Sequence, residues 1–502
     1  MRLRTTSIAG ITAVVIAMLA AAAPALAGRD QVSIIQADRE TFQQGPGPSA
    51  SAFNEFSALG VDIVKAQVMW RDVAPAGRPA DPSSPAAYDW SRFDMFVRNA
   101  RRRGLRPYLS LGGRAPDWAS KSTCRGARPG TCRPSNTLFR QFALAAGRHY
   151  TGGELHVDMW SLWNEPNLAF WLNPQRSRRG VPLAPSIYRR LYAAGRKGLS
   201  QSGHGGDRIL LGELAPLGSR QRGIGAKLAP LAFIREMACV KRNFRPLSRR
   251  QRRARRCSRA KLRTNGFAIH PYTARLTPSR GNKGPRARAR PDDATLRYLG
   301  RLRRTLDKVR KRLGTRKLGI WITEFGFQSK PPDEFSSSLA TVARYLDESE
   351  YIAYTSARVK SIDQYTLFDD PVGTTPSVFR NFEGFQLGLR FATSGPFVPD
   401  FGGRKPKVYD AYRMPVFAKI KKRNARGRVE VFAGVRAKRL ASSFVTIDTA
   451  LPGQPFRRLR TVRLNRRGYF RKSFRLSGAT QRTFRVTSTE TGQVRLKRAV
   501  RR

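Results

Sequence analysis

The stretch from 157 to 167, VDMWSLWNEPN, joins an apolar run to a polar turn. Its first part, Val157–Trp163, predicts a short strand buried on both faces, as the strands of parallel sheets are. Seven further runs of this kind recur along the chain. They are Val32–Gln36, Val61–Trp70, Arg106–Leu111, Arg208–Leu214, Gly266–His270, Leu318–Phe325 and Ser361–Phe368. The eight runs together predict eight strands.

Segments with helical periodicity separate many of these runs. They include Trp90–Arg103, Asn136–Tyr150, Ser186–Gly198, Ala294–Leu313 and Leu339–Val359. Eight strand–helix units over about 380 residues predict an α/β fold, a (β/α)8 TIM barrel with enlarged loops, because the plain barrel takes about 250 residues. An open doubly wound sheet is the alternative. No G-x-G-x-x-G follows the first run and no P-loop occurs, which weakens that alternative.

The pattern changes after Phe417. The barrel domain is therefore predicted over residues 28–418, with the basic stretch Lys419–Arg428 as a linker. Beyond it, short alternating runs separated by glycines predict a small all-β sandwich domain over residues 429–502. Its predicted strands are Val429–Val435, Ser443–Asp448, Leu459–Leu464, Tyr469–Leu476, Thr483–Thr487 and Val494–Leu496.

Residues 1–27 have the layout of a secretory signal peptide. Arg2 and Arg4 precede an apolar run, and small residues at 25–27 form an A-x-A cleavage pattern. A membrane anchor is the alternative, but the run is shorter than the ~20 residues that span a bilayer. We therefore expect a secreted protein, extracellular or associated with the cell wall, whose mature chain starts near Gly28.

Four cysteines are too few for a disulfide-dense scaffold. Cys124 and Cys132 bracket one short loop, and Cys239 and Cys257 bracket a basic one. In an oxidising compartment, sequential pairing is the simplest of three connectivities, although spacing alone does not prove it. Neither pair has CxxC spacing and the four histidines form no HExxH, so we predict neither a metal nor a cofactor.

Two glutamates come directly after apolar runs. Glu165 follows the fourth run in WNEPN, and Glu324 ends the seventh in WITEFG. In a (β/α)8 barrel the C-terminal ends of the strands build the active site, so both carboxylates should face the mouth. Such a pair is what glycosidic cleavage needs, one acid for the leaving oxygen and one carboxylate to attack or to activate water. Glu213, at the end of the fifth run, is a third carboxylate for which a structural ion pair is the favoured interpretation.

At these residues the sequence resembles the glycoside hydrolases of clan A, in particular families 5 and 39 and their relatives. The resemblance covers roughly residues 32–417. WNEPN looks like the acid/base strand and WITEFGF like the nucleophile strand. Upstream, Lys65 to Trp70, then VAP at 73–75, YDW at 88–90 and PDW at 116–118 follow in an order similar to those families.

The resemblance implies a retaining mechanism with Glu165 as general acid/base and Glu324 as nucleophile. It matches Asn164 to the residue that hydrogen-bonds the sugar 2-hydroxyl, and His270 and Tyr272 to positions that orient the nucleophile or touch the sugar. The chain departs from the pattern at Lys65, where many members carry arginine, at Phe327, and in strand eight, which lacks the usual tryptophan. Lys65 is still expected among the substrate-binding residues.

Aromatic rings suit sugars because the C–H faces of pyranoses stack on them. Trp70, Trp118 and Trp171 lie at or after predicted strand ends, and we expect them to bind substrate. A role in the core is the alternative for each, and it is the favoured role for Trp160 and Trp321.

Lys and Arg number 95 against 34 Asp and Glu, a formal net charge of +61. This balance is typical of nucleic-acid binding, but no recognised module occurs and export argues against it, so no nucleic-acid partner is predicted. Two basic stretches, Arg235–Arg263 and Arg275–Arg290, follow strands five and six on the mouth side. They are placed to attract an anionic polysaccharide substrate, but a solvated surface without a partner is the slightly favoured interpretation.

The sequence thus predicts a monomeric, secreted glycoside hydrolase that cleaves a polysaccharide. Its basic C-terminal domain is a candidate for association with a cell surface. The alternative is a non-catalytic polysaccharide- or cell-wall-binding protein on a decayed barrel. Both glutamates and Asn164 are present, which argues against decay.

Overall fold

The computed structural model describes residues 30–219, 225–258, 260–273, 277–279, 290–331, 336–371, 384–395, 398–421, 427–437 and 443–501. The predicted signal peptide at 1–27 and most of the basic stretch Arg275–Arg290 lie outside the described residues. Within them, no helix is long and apolar enough to cross a membrane.

Eight parallel strands close into a barrel. They are β1 (Val32–Gln36), β2 (Ile63–Val68), β3 (Arg106–Leu111), β4 (Met159–Leu162), β5 (Arg208–Leu214), β6 (Gly266–Ile269), β7 (Ile320–Ile322) and β8 (Val359–Tyr365). β1 pairs with β2 on one side and with β8 on the other, with Val32 opposite Ser361. That closure confirms the predicted (β/α)8 barrel and excludes the open sheet.

Helices surround the barrel. They are α1 (Pro46–Ala58), α2 (Trp70–Val73), α3 (Ser91–Arg102), α4 (Asn136–His149), α5 (Ala184–Gln201), α6 (Pro230–Met237), α7 (Arg249–Ala254), α8 (Leu299–Leu313), α9 (Leu339–Thr355) and α10 (Val408–Arg413). Each long helix turns an apolar stripe inward, as α3 does with Phe93, Phe96, Val97 and Ala100 at helical spacing. Burial of such stripes against the strands covers the outside of the barrel.

Inside the barrel, the layer nearest the N-terminal strand ends is apolar. It forms a cluster of Val32, Ile34, Ile63, Tyr108, Met159, Leu210, Ala268 and Trp321. Trp321 is 6% exposed and Trp160 is fully buried, which confirms the core roles predicted for both. The charged side chains inside the barrel therefore lie above this apolar layer, toward the C-terminal mouth.

The C-terminal strands form two four-stranded sheets. Their strands are β9 (Val416–Ile420), β10 (Arg428–Gly434), β11 (Phe444–Ala450), β12 (Arg457–Arg463), β13 (Tyr469–Arg475), β14 (Thr483–Ser488), β15 (Val494–Arg498) and β16 (Val500–Arg501). One sheet has the order β13-β10-β9-β16 and the other β12-β11-β14-β15. A shared apolar cluster packs between them, in agreement with the predicted sandwich.

The boundary between the two regions differs from the predicted one. β9 begins at Val416 and pairs antiparallel with β10, so both ends of the stretch predicted as a linker are strand. Lys419 lies within β9, and Lys421, directly after the strand, forms an ion pair with Glu430 of β10 at 2.8 Å, so basic residues with the composition of a linker belong to the edge of this sheet region. Residues 422–426 lie outside the described residues.

Buried ion pairs attach the sandwich to α9 of the barrel. Glu350 accepts a hydrogen bond from Arg436 at 2.7 Å, and Asp347 accepts one from Arg495 at 3.1 Å. Breaking one partner of such a buried pair is costly, so this interface fixes the two regions against each other.

Both disulfides join cysteines that are neighbours in sequence, Cys124–Cys132 and Cys239–Cys257. The sequential connectivity is therefore confirmed. The first disulfide closes a loop after β3 and the second a loop between α6 and the region after α7.

Candidate active site

Glu165 reaches the mouth through an unusual turn after β4. Trp163 and Glu165 have φ of +74° and +35°, a region that non-glycine residues rarely adopt. The turn is held by hydrogen bonds from Trp163 N to Leu111 O at 2.7 Å and from Glu165 N to Glu213 O at 2.9 Å. Strained backbone of this kind clusters at functional sites.

The two predicted catalytic glutamates lie on either side of one histidine. His270 Nδ1 is 3.0 Å from Glu165 Oε1 and 3.4 Å from Glu324 Oε2. One ligand atom from each of the three residues fits within 4.8 Å of the others. The side chains of Glu165 and Glu324 are 14% and 16% exposed, whereas His270 is fully buried. A molecule that enters the mouth can therefore reach both carboxylates, with the imidazole behind them.

Tyr272 holds the second glutamate. Its hydroxyl donates to Glu324 Oε1 at 2.9 Å. Burial raises the pKa of the Glu324 carboxyl above its usual value; the charge of His270 opposes that rise and the charge of Glu165 adds to it. Because two neighbouring carboxylates resist a double negative charge, Glu324 keeps its proton more readily than an isolated carboxyl group does.

A charged layer lies beneath the glutamates, centred on Glu213. Glu213 accepts hydrogen bonds from Lys65 Nζ at 3.0 Å, Thr323 Oγ1 at 2.9 Å and His270 Nε2 at 2.6 Å, and also from the hydroxyl of Tyr108. Burial alone would raise the pKa of Glu213, but Lys65 and His270 outweigh it and lower the pKa. Glu213, at the end of β5, therefore forms the buried ion pair with Lys65 that agrees with the structural role expected from the sequence.

Lys65 differs from its predicted role in substrate binding. The residue is fully buried, and its ammonium group is shared between Glu213 and the carbonyl of Thr323, at 3.1 Å from the latter. A buried ammonium needs such partners, so Lys65 supports the site from below and is out of reach of a sugar in the mouth.

His270 carries a proton on both nitrogens. Burial alone would lower its pKa, but the charge of Glu324 and the hydrogen bonds to Glu165 and Glu213 raise the pKa to about 10. The imidazolium therefore donates from Nδ1 to Glu165 and from Nε2 to Glu213. Glu165, His270 and Glu324 are also the group among the described residues whose ligand atoms lie close enough together to hold a metal ion, and a metal there would have to displace the proton on His270 Nδ1.

Two further carboxylates at the mouth were not singled out from the sequence. Asp38 follows β1 and accepts from Gln36 Nε2 at 3.0 Å, and burial raises its pKa to about 7. Asp363, in β8, accepts the backbone N–H of Phe325 at 3.1 Å and thereby fixes the residue next to Glu324. Both follow or lie within predicted strands, which is the signal that identified Glu165.

Asn164 is 6% exposed, and its Oδ1 has no hydrogen-bond partner among the described residues. A buried amide oxygen without a partner is costly, so this atom is available to a ligand hydroxyl next to Glu165.

The predicted aromatic residues lie in different surroundings. The Trp171 ring is half-buried and lies 3.3 Å from the point where a Cβ would stand on Gly113, just after β3, which places it at the mouth. Trp118 is half-buried at the outer edge, where its Nε1 donates to Pro75 O at 3.0 Å. Trp70, in contrast, is fully buried and stacks on Phe142 at 5.3 Å between ring centroids. The predicted contact of Trp70 with substrate is therefore replaced by a core role.

No protein-family model matches the chain, and no curated protein matches its sequence. Among solved structures, it is similar to Bacteroides uniformis β-glucuronidase 2 covalently bound to cyclophellitol-6-carboxylate aziridine (10% identity, TM-score 0.41, covering 94% of this chain and 46% of that chain). It is also similar to a β-D-mannosidase from Dictyoglomus thermophilum (9% identity, TM-score 0.40, 93% and 50%). A third is a GH113 β-1,4-mannanase (9% identity, TM-score 0.32, 67% and 87%). The chain spans about half the length of the first two.

Proposed function

We propose that the protein is a retaining glycoside hydrolase that cleaves O-glycosidic bonds of a polysaccharide. The observation that carries the proposal is the Glu165–His270–Glu324 group, whose ligand atoms lie within 4.8 Å of one another at the open end of the barrel. Retaining enzymes need carboxyl groups only about 5–5.5 Å apart, whereas inverting enzymes leave room for a water between them. The short separation thus supports the retaining route, in line with the resemblance to clan A families 5 and 39.

In the first step, Glu324 attacks the anomeric carbon while Glu165 gives its proton to the leaving oxygen. The C–O bond to the leaving group breaks, and a glycosyl ester forms on Glu324. The hydrogen bond from Tyr272 supports the ionised form of Glu324 before attack. In the second step Glu165 takes a proton from water, and the resulting hydroxide equivalent displaces Glu324 from the sugar.

Three side chains surround the reacting sugar in this proposal. The unpaired Oδ1 of Asn164 accepts from a hydroxyl beside Glu165. Asp38, near Glu324, binds a second hydroxyl, and the ring of Trp171 stacks on a sugar face farther out. Trp118 lies at the edge, where it contacts only a longer chain.

We further propose that the enzyme is exported and acts as a monomer. The signal-peptide pattern at residues 1–27 supports export, and the two disulfides are typical of an oxidising compartment. The barrel then carries the catalysis, and the basic sandwich serves as an accessory domain at an anionic cell surface.

The deciding experiment is hydrolysis of a glycan panel by the wild type, Glu165→Gln and Glu324→Gln. Loss of general acid catalysis lowers the rate by about 10²–10⁴-fold, and loss of the nucleophile lowers it at least as much. NMR of the first product formed should show retained anomeric configuration. Glu154→Gln is the control, since Glu154 is exposed, precedes the N-terminal end of β4 and pairs with Arg102.

Activity that survives in both active-site variants would refute the assignment. Binding of a glycan by the wild type without any hydrolysis would favour the alternative, a polysaccharide-binding protein on a barrel of the same kind.

A further inference from the structure

Three arginines from separate segments converge near the N-terminal end of α5. Arg133 lies before α4, Arg190 in the second turn of α5, and Arg256 just after α7. Arg190 Nη1 donates to the carbonyl oxygen of Arg256 at 3.1 Å and to Ser186 Oγ at 2.8 Å. The Ser186 hydroxyl donates to the same carbonyl at 2.6 Å. These bonds hold the Arg256 backbone against α5.

Among the described residues, no carboxylate pairs with any of these three arginines. Glu236, which lies beside the neighbouring Arg255, is already paired with that residue at 2.6 Å. Burial and the charge of Arg256 lower the pKa of Arg133, and the same causes, together with Arg133, lower the pKa of Arg190. The three guanidinium groups therefore repel one another without a compensating anion.

The covalent structure holds this unfavourable arrangement in place. Arg133 directly follows Cys132, and Arg256 directly precedes Cys257, so each disulfide fixes one arginine of the cluster. Arg133 and Arg256 also have φ of +43° and +52°. A left-handed backbone costs a non-glycine residue on the order of 1 kcal/mol. Strain and repulsion at the same residues indicate a function that requires the three charges together.

The cluster lies on the mouth side of the barrel. Helices of this fold begin at the C-terminal strand ends, and so does α5. The backbone N–H of Arg133 donates to Asn173 O at 2.9 Å, in the segment that follows Glu165 and carries Trp171. In the same segment, the exposed ring of Phe170 lies 3.9 Å below the guanidinium of Arg128. A chain bound at Trp171 can thus continue toward the arginines.

We propose that Arg133, Arg190 and Arg256 form a binding site for the acidic group of a glycan, a carboxylate or an ester sulfate. Guanidinium groups pair with such oxyanions through two parallel N–H donors, which suits them better than lysine for this task. The anion removes the repulsion among the arginines and fixes a substrate residue outside the catalytic centre. That this glycan is the substrate rests on the proposed hydrolase function; the binding itself does not.

The test is calorimetric binding to the mature chain at low salt, with three probes: an oligogalacturonate, a sulfated dextran oligosaccharide and a neutral dextran oligosaccharide. The two acidic probes separate carboxylate from sulfate as the ligand. We expect acidic probes to bind and the neutral one to bind at least tenfold more weakly. Arg133→Gln, Arg190→Gln and Arg256→Gln should each weaken acidic binding by about tenfold. Raising the salt concentration should weaken it in the wild type.

Arg253→Gln is the matched control, because it removes the same charge from an exposed residue of α7. Equal weakening by Arg253→Gln would show general attraction by net charge and overturn the proposal, as would equal binding of the neutral probe. Without ligand, Arg133→Gln and Arg256→Gln should melt at the wild-type temperature or above it, since repulsion is relieved; a lower Tm in both would indicate a structural role and also count against the proposal. Arg190→Gln is left out of this comparison because it also removes the hydrogen bonds to Ser186 and to the Arg256 carbonyl. Binding is measured again in Glu165→Gln, so that a failure of hydrolysis is distinguished from a failure of this site.

Discussion

Two charged regions lie on the mouth side of the barrel and differ in how their charges are paired. One is the centre of the mouth, around Lys65, Glu213 and His270; the other, the arginine rim, consists of the three arginines of the proposed anion site. In the centre, the cations Lys65 and His270 are fully buried and each contacts a carboxylate. On the rim, Arg133, Arg190 and Arg256 have no carboxylate partner among the described residues. A buried charge without a partner strongly destabilises the fold, whereas a partly exposed charge keeps contact with water and can remain unpaired until a ligand binds. On the two proposals above, this difference separates a preformed catalytic centre from a surface that is completed by binding an anion.

Glu213→Gln should have the largest effect, because it removes the shared partner of the two buried cations. We expect the free energy of unfolding to fall by about 3–5 kcal/mol, as when one partner of a buried ion pair is removed. Urea denaturation measures it. The double variant Lys65→Met/Glu213→Gln is the control and should recover part of the loss. If the free energy of unfolding of Glu213→Gln changed by less than about 1 kcal/mol, Glu213 would not be the essential partner of Lys65 and His270.

High pH should break the same pairing without a mutation. The pKa of His270 in the folded protein is about 10, above the ordinary histidine value of 6.5, so its charge stabilises the folded state fully below pH 6.5. That contribution is lost as pH rises through 10. The free energy of unfolding, measured from pH 6 to 10.5, should fall more steeply in the wild type than in His270→Gln. Parallel curves for the two proteins would show that the imidazole is not charged.

Tyr272→Phe tests the contact that acts on Glu324 directly. A hydrogen bond to a charged group contributes about 1.5–3 kcal/mol, so kcat/KM should fall by about tenfold or more. The acidic limb of its pH profile should move to higher pH, because Glu324 loses a bond that lowers its pKa. Tyr345→Phe removes a hydroxyl from α9 and serves as the control. An unshifted acidic limb would exclude Glu324 as the group that titrates there.

Arg256→Glu should have the smallest effect on stability and the opposite sign. It places a carboxylate beside Arg133 and Arg190, so that the rim arginines gain an ion pair of the kind that Lys65 and Glu213 form in the centre. A partly exposed ion pair is worth at most about 1 kcal/mol, so Tm should rise slightly. Arg253→Glu makes the same change of charge at an exposed residue of α7 and should not raise the Tm. A lower Tm in Arg256→Glu alone would mean that the rim arginines are not in repulsion.

Much of the fold follows from local patterns. The predicted runs Val32–Gln36, Arg106–Leu111 and Arg208–Leu214 coincide with β1, β3 and β5. Others differ at their ends, as Leu318–Phe325 does from β7, because the residues around Glu324 leave the strand to form the mouth. The sandwich boundary was placed too late because Lys419 and Arg428, which lie in β9 and β10, were assigned to a basic linker.

The residues of the candidate site likewise fall into those that the sequence predicted and those whose role only the structure showed. Glu165, Glu324 and Tyr272 come after apolar runs, and the fold brings all of them to one end of the barrel. The roles of Lys65 and Trp70 required the structure, because whether a residue after a strand points into the mouth or into the core depends on neighbours from other segments. The sequence analysis did not identify Asp38, because no recognisable motif surrounds it, although it follows the end of β1.

The sequence by itself determined the strand order, the two glutamates at the strand ends and the neighbouring cysteines, because periodicity and spacing are local properties of the chain. Only the tertiary structure decided which charges meet. Lys65, Glu213 and His270 come from β2, β5 and the end of β6, and the three rim arginines from three different loops and helices. Barrel closure and the two disulfides bring them together, and burial then determines which of them must be paired and which stay free for an anion.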